Sequence, residues 1–76
     1  MDKKQILTDA LSQREEEILG YQINIDNYKL AIEMAKEDPD LADFSQNLHN
    51  LLASSIIEQK KAKIMYEVIK LQVEEL

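Results

Sequence analysis

The sequence predicts an all-α fold in which two long helices pair as an antiparallel coiled-coil hairpin. The 76 residues include one glycine and one proline, so few residues can break a helix or form a turn. On both sides of that proline, seam positions recur at alternating steps of three and four residues, the spacing of a coiled-coil seam. There is no cysteine, so neither a disulfide nor a cysteine zinc site can stabilise this single domain, residues 1–76.

The first helix is predicted from about residue 3 to residue 36. Asp2 has the position of an N-cap, with Gln5 three residues later as in a capping box. Gly20 either is simply tolerated inside this helix or marks the close approach of another helix. Nine positions follow the seam spacing without interruption: Leu7, Leu11, Arg14, Ile18, Tyr21, Ile25, Tyr28, Ile32 and Ala35.

The bend is predicted at residues 37–38, and the second helix runs from about residue 39 to residue 75. Asp38 as N-cap and Pro39 at the first helical position form a common helix start. Because the connection is short and the two helices are nearly equal in length, they should pack antiparallel. The second helix carries its own seam series: Leu41, Phe44, Leu48, Leu51, Ser55, Glu58, Ala62, Met65, Ile69, Gln72 and Leu76.

Folding the chain at the bend matches the two series layer by layer, because the residue numbers of each facing pair have the same sum. Large Tyr21 then faces small Ser55. Arg14 and Glu58 are the only charges in the two seams, about one turn apart, and we expect them to pair and fix the register. The run Glu15–Glu17 is expected to face three lysines across the edge of the seam: Lys60, Lys61 and Lys63.

Apolar residues outside the seams form a second stripe on each helix, roughly 130–160° away from the seam of the first helix. They are either scattered surface residues or an interface, and a contiguous exposed stripe usually marks an interface. The simplest partner is another copy of the chain, which would give a bundle of four or more helices. The candidate oligomer or partner interface consists of Leu19, Ile23, Leu30, Met34, Ile57, Ile64, Val68 and Leu71.

No pattern for catalysis, a metal or a cofactor stands out, so we do not predict an enzyme. His49 is the single histidine and has no nucleophile or carboxylate pair beside it. The acidic residues around the bend lack the glycine and the terminal glutamate of an EF-hand loop. One polar cluster at the middle of the rod is a candidate ligand pocket between copies of the chain: Arg14, Tyr21, Ser55 and Glu58.

Charge and hydropathy restrict the possible partners. A formal net charge of −6 argues against nucleic acid, because an acidic protein repels phosphates. The apolar runs are too short for a secretory signal or a membrane span. We therefore expect the protein in a cytoplasm, either bacterial or that of a host.

The sequence thus predicts a non-enzymatic, oligomeric helical hairpin that acts through protein–protein contacts, as an adaptor, an assembly chaperone or a small regulator. Its partners would be further copies of itself and another protein. One alternative is a small acidic inhibitor, for example a phage-encoded one, that mimics nucleic acid at a basic site of a host enzyme. A second alternative is an oligomer that sequesters a small ligand such as a nucleotide in pockets between protomers.

Overall fold

The computed structural model describes residues 2–76 and has two long helices joined by a tight bend. Helix α1 spans Lys3–Ala35, a 3-10 turn spans Pro39–Leu41, and helix α2 spans Ala42–Glu74. The helices pack side by side along a rod 56 Å long and 15 by 14 Å across. The predicted all-α hairpin is confirmed, with the bend where the sequence places it. Neither helix has a stretch apolar and long enough to cross a bilayer.

Both predicted N-caps are present. The Asp2 carboxylate accepts a hydrogen bond of 2.8 Å from the Gln5 backbone N–H. The Asp38 carboxylate accepts one of 2.9 Å from the Asp40 backbone N–H, while Asp38 itself is extended, as a residue before proline prefers to be. The Gln5 side chain bonds to Asp9 on the next turn, so the reciprocal bond of a capping box is replaced by a contact within α1.

Helix α1 continues through Gly20 without a break. A methyl group added there would meet no described atom within 4 Å, so α2 does not approach this glycine closely. All nine predicted seam positions of α1 lie toward α2. Ile25 and Ala35 are each 3% exposed, and the other seven are half-buried.

The predicted seam of α2 is only partly correct. Five of its positions are buried or half-buried: Leu48, Ser55, Glu58, Ala62 and Ile69. Three others are 50%, 48% and 41% exposed, in this order: Phe44, Leu51 and Met65. The row that contains these three residues is replaced at the interface by the row one position later along the chain: Ser45, Leu52, Gln59, Tyr66 and Val73. Helix α2 is therefore rotated about its own axis by about 50° from the predicted orientation.

The charge of Glu58 explains this rotation. The predicted orientation would move the Glu58 carboxylate into the interface, where it would lose hydration, and Arg14, its expected partner on α1, pairs with Glu17 instead. In the structure the Glu58 side chain is 44% exposed, and the neutral amide of Gln59 is buried in its place, at 7% exposure. Gln59 bonds to the backbone of Ile18, the residue predicted to face Glu58. The axial register is thus as predicted to within one residue.

The core of the hairpin is thin. Five apolar residues are buried in the part of the chain that the structure describes: Ile25, Ala35, Leu48, Ala62 and Ile69. Fourteen large apolar residues are exposed among residues 2–76. Two helices alone therefore leave most of the large apolar side chains in contact with water, and small proteins with so limited a core usually depend on a partner.

Candidate functional site

The seam between the helices is bordered by a groove on each side of the rod. Residues one position after a seam residue project to one side, and those one position before it project to the other. We name the first the amide groove, lined in part by Glu15, Gln22, Gln59, Lys63 and Tyr66. We name the second the charged groove, lined in part by Arg14, Glu17, Tyr21, Glu58, Lys61 and Met65.

The amide groove carries the polar links between the helices. The Gln59 Nε2 group donates to the Ile18 carbonyl oxygen at 3.1 Å and to Gln22 Oε1 at 3.0 Å. Farther toward the chain ends, the Tyr66 hydroxyl donates to Glu15 Oε1 at 3.3 Å. These bonds satisfy side chains that packing draws together, so their evident role is structural.

Sequence reasoning missed Gln22 and Gln59. A signal for Gln59 did exist, because a second series on α2 has the same spacing of three and four residues. That series contains no charged residue, whereas the predicted seam series of α2 contains Glu58. It runs through Ser45, Leu48, Leu52, Ser55, Gln59, Ala62, Tyr66, Ile69 and Val73.

The predicted ion pair between Arg14 and Glu58 is wrong. Arg14 Nη1 lies 3.0 Å from Glu17 Oε2, and Lys61 Nζ lies 3.0 Å from Glu58 Oε1. Each charge pairs with a residue three positions away on its own helix, because such residues are neighbours on a helix surface. All three ion pairs within residues 2–76 have this spacing, so the expected contacts between the glutamate run and the lysines are not formed.

The predicted ligand pocket is only partly assembled within one copy of the chain. Arg14, Tyr21 and Glu58 line the charged groove, but Ser55 does not. The groove holds about 180 Å³, less than the about 300–1,000 Å³ of typical small-molecule pockets. Its two cations already contact Glu17 and Glu58, which leaves little free charge for an anionic ligand.

No group of three or more histidine or acidic side chains within residues 2–76 is arranged to hold a metal ion. His49 is exposed and lies beside the bend, where it borders a shallow groove with Lys36 and Ser45. Nothing in this arrangement indicates a catalytic group.

All eight residues of the predicted interface are exposed, from 43% at Val68 to 84% at Met34. Five of them lie opposite the seam, and we name them the outer rows: Ile23, Leu30, Ile57, Ile64 and Leu71. On α2, predicted seam positions that lie outside the interface with α1 form a further row. Its residues are seven positions apart and border the charged groove. We name it the flank row: Phe44, Leu51, Glu58 and Met65.

The two grooves differ in the surface around them. On α2 the row that borders the amide groove includes His49, Lys63 and Lys70, all exposed. The row that borders the charged groove is apolar apart from Glu58 and the C-terminal Gln72. Exposed apolar side chains of α2 therefore gather beside the charged groove and on its outer row, whereas on α1 Leu19, 61% exposed, lines the amide groove.

The chain matches no known protein family, and no curated protein or solved structure is significantly similar to it.

Proposed function

We propose that this protein is a non-enzymatic helical hairpin that self-associates and acts through protein–protein contacts, as an adaptor, an assembly chaperone or a small regulator. The observation that carries this proposal is the contrast between five buried apolar residues and fourteen large apolar residues left exposed.

Burial of apolar surface is the main favourable contribution to folding and to association, at about 25 cal/mol for each Å² removed from water. Eight of the fourteen exposed residues lie on the outer rows and the flank row, in which residues repeat at intervals of seven along one helix. Rows of this kind suit packing against another helix, because its side chains can pack between evenly spaced apolar residues.

The charge distribution gives less support to an acidic mimic of nucleic acid. Such a mimic needs its carboxylates on one face. Glu15 lines the amide groove, whereas Glu17 and Glu58 line the charged groove on the other side. Lysines are interspersed on both sides as well, with Lys63 in the amide groove and Lys61 in the charged groove.

The oligomeric state tests the proposal directly. Size-exclusion chromatography with light scattering, over a wide range of concentrations, should give a molar mass of at least twice the 8.8 kDa of one chain. Circular dichroism on the same samples should show a largely helical chain throughout. A helical species of 8.8 kDa at every concentration would refute self-association.

A further inference from the structure

We infer that a second copy of the chain packs on the charged groove, antiparallel to the first, about a twofold axis that crosses the rod at the two ion pairs Arg14–Glu17 and Glu58–Lys61. This inference rests on the proposed self-association and specifies its face, direction and register. The result is a four-helix bundle with the two bends at opposite ends.

The flank row identifies the face. A helix with one neighbour in a coiled coil has two rows of seam positions, whereas a helix between two neighbours in a bundle has three adjacent rows. Helix α2 has three, and α1 covers two of them. The third is the flank row, whose Phe44, Leu51 and Met65 remain 50%, 48% and 41% exposed. A second copy on this side would be the missing neighbour.

The charges determine the direction. Consider two residues of opposite charge, three positions apart on one helix. When two copies of that helix meet antiparallel about the centre of this pair, each charge faces the opposite charge on the other copy. Arg14 then lies opposite Glu17 of the second copy, and Glu58 lies opposite Lys61 of the second copy. Both pairs line the same groove and lie at nearly the same level, as the hydrogen bond between Gln59 and Ile18 shows. A single axis therefore serves both.

The alternative direction, with both bends at the same end, is less favourable. Helix α1 would then face α2 of the second copy, with Arg14 beside Lys61 and Glu17 beside Glu58. The attraction between Glu17 and Lys61 would be offset by these two approaches of like charges, which oppose association.

The register set by the charges also matches side-chain sizes. Leu51, seven residues before Glu58, lies opposite Val68, seven residues after Lys61. Met65 lies opposite Ser54 of the second copy by the same reasoning. On α1, Ala10 lies opposite Tyr21. Large side chains thus meet small or medium ones, as a packed interface requires.

The available area is sufficient for a stable dimer. The rod is 56 Å long and 15 Å wide, and the axis crosses it a few residues from its midpoint. The copies then overlap along about 45 Å and cover about 700 Å² each, or about 1,400 Å² together, within the about 1,200–2,000 Å² of stable interfaces. The outer rows stay uncovered and supply control positions.

A charge reversal on the charged groove tests the contact. Lys61→Glu places two carboxylates opposite each other at two symmetric points, so the dimer dissociation constant should rise about tenfold at low salt. Lys63→Glu is the matched control. Lys61 and Lys63 lie on either side of Ala62, so the two substitutions change the net charge equally but act on opposite grooves. It should leave the constant nearly unchanged. Equal effects of the two variants in sedimentation equilibrium would overturn the inference.

Exchanging the charges of α2 tests the direction. The double variant Glu58→Lys with Lys61→Glu preserves the ion pair within α2. In the antiparallel arrangement, each exchanged charge still faces the opposite charge on the second copy. The dissociation constant should return to the wild-type value. With both bends at the same end, the exchange would instead bring opposite charges together and tighten the dimer. A tighter dimer, or no recovery, would overturn the inference.

Cysteine cross-linking tests the register. The chain has no cysteine, and Leu51 and Val68 are about 25 Å apart along the same helix, too far for a disulfide within one copy. The double variant Leu51→Cys with Val68→Cys should therefore oxidise to a covalent dimer with native helicity. Failure to cross-link at concentrations where the wild type is dimeric would contradict the register.

Apolar substitutions separate failure of this inference from failure of the proposed function. Leu51→Asp, on the flank row, should weaken the dimer at least about 100-fold, and Ile57→Asp, on an outer row of similar exposure, should not. If only Ile57→Asp dissociates the assembly, the outer rows form the contact, and self-association stands without this interface. If the wild type is monomeric, both proposals fail.

Discussion

Gln59 and its neighbour Glu58 explain how single residues orient α2. Compared with the predicted orientation, the observed rotation of α2 replaces the Glu58 carboxylate by the Gln59 amide at the centre of the interface. The amide donates to the Ile18 carbonyl oxygen and to the Gln22 side-chain oxygen of α1, whereas a carboxylate at that point could not donate to the Ile18 carbonyl and would face its oxygen unpaired. A buried polar group is tolerated when it is hydrogen-bonded, and a buried charge needs a partner as well.

We expect Gln59→Ala to lower the free energy of unfolding by about 1–3 kcal/mol, because it leaves Gln22 Oε1 without its donor from α2 and opens a gap at the seam. Gln59→Glu should lower it further, since its oxygens would face the Ile18 carbonyl and Gln22 Oε1. Urea unfolding followed by circular dichroism, at one fixed protein concentration, measures both effects.

Gln46→Ala is the control for that experiment. Gln46 is exposed and bonds only to Asn50 on its own helix, at 3.3 Å, so its removal should change the free energy of unfolding by less than about 0.5 kcal/mol. Equal effects at Gln46 and Gln59 would mean that the bonds across the seam do not stabilise the hairpin.

At the scale of elements, the bend depends on local chemistry. Asp38 satisfies a free backbone N–H at the start of the 3-10 turn, and Pro39 begins that turn with a backbone angle suited to a helix. The Asp38 backbone N–H in turn donates to the Ala35 carbonyl oxygen at 3.1 Å, which closes the last turn of α1. One residue thus connects the end of α1 with the start of the second helical segment.

We expect Asp38→Ala to lower the free energy of unfolding by about 1 kcal/mol, the typical contribution of an N-cap side chain. Asp38→Asn should retain most of the stability, because asparagine caps equally well. Glu37→Ala, an exposed change beside the cap, is the control and should have little effect. Loss of stability in Asp38→Asn as large as in Asp38→Ala would show that charge, and not capping, matters at the bend.

At the scale of the whole molecule, stability should depend on association. The buried core includes two alanines among its five apolar residues, and the long seam leaves one side of every half-buried residue accessible to water. A rod of this shape has much surface for its volume, so a single copy has little free energy to offset the loss of chain entropy.

The thermal midpoint should therefore rise with protein concentration. For a dimer of this size, a tenfold increase should raise the midpoint by about 4 °C, because unfolding is coupled to dissociation. Circular dichroism melts across several concentrations measure this shift. A midpoint independent of concentration would indicate that the hairpin is stable without a second copy.

The positions of α1 that face α2 could be predicted because an uninterrupted seam spacing offers one choice of face. Helix α2 offers two such series that share Leu48, Ser55, Ala62 and Ile69 and differ only in the row beside them. For a single hairpin, the pattern favours the series with more large aliphatic and phenyl side chains, among them Phe44, Leu51 and Met65. Those same residues form the exposed flank row. The apolar pattern of α2 therefore includes both the row that meets α1 and the row beside the charged groove, and spacing alone does not distinguish the two.

The two helices, their caps, the bend and the antiparallel register, to within one residue, follow from the amino-acid pattern alone. These features depend on neighbours along the chain and on spacing within one helix. Which rows of α2 meet α1, and which charges pair, depends on the packing of the two helices. The rotation of a helix depends on the groups that its neighbour presents, here the Ile18 carbonyl, which accepts a hydrogen bond from the Gln59 amide and could accept none from the Glu58 carboxylate.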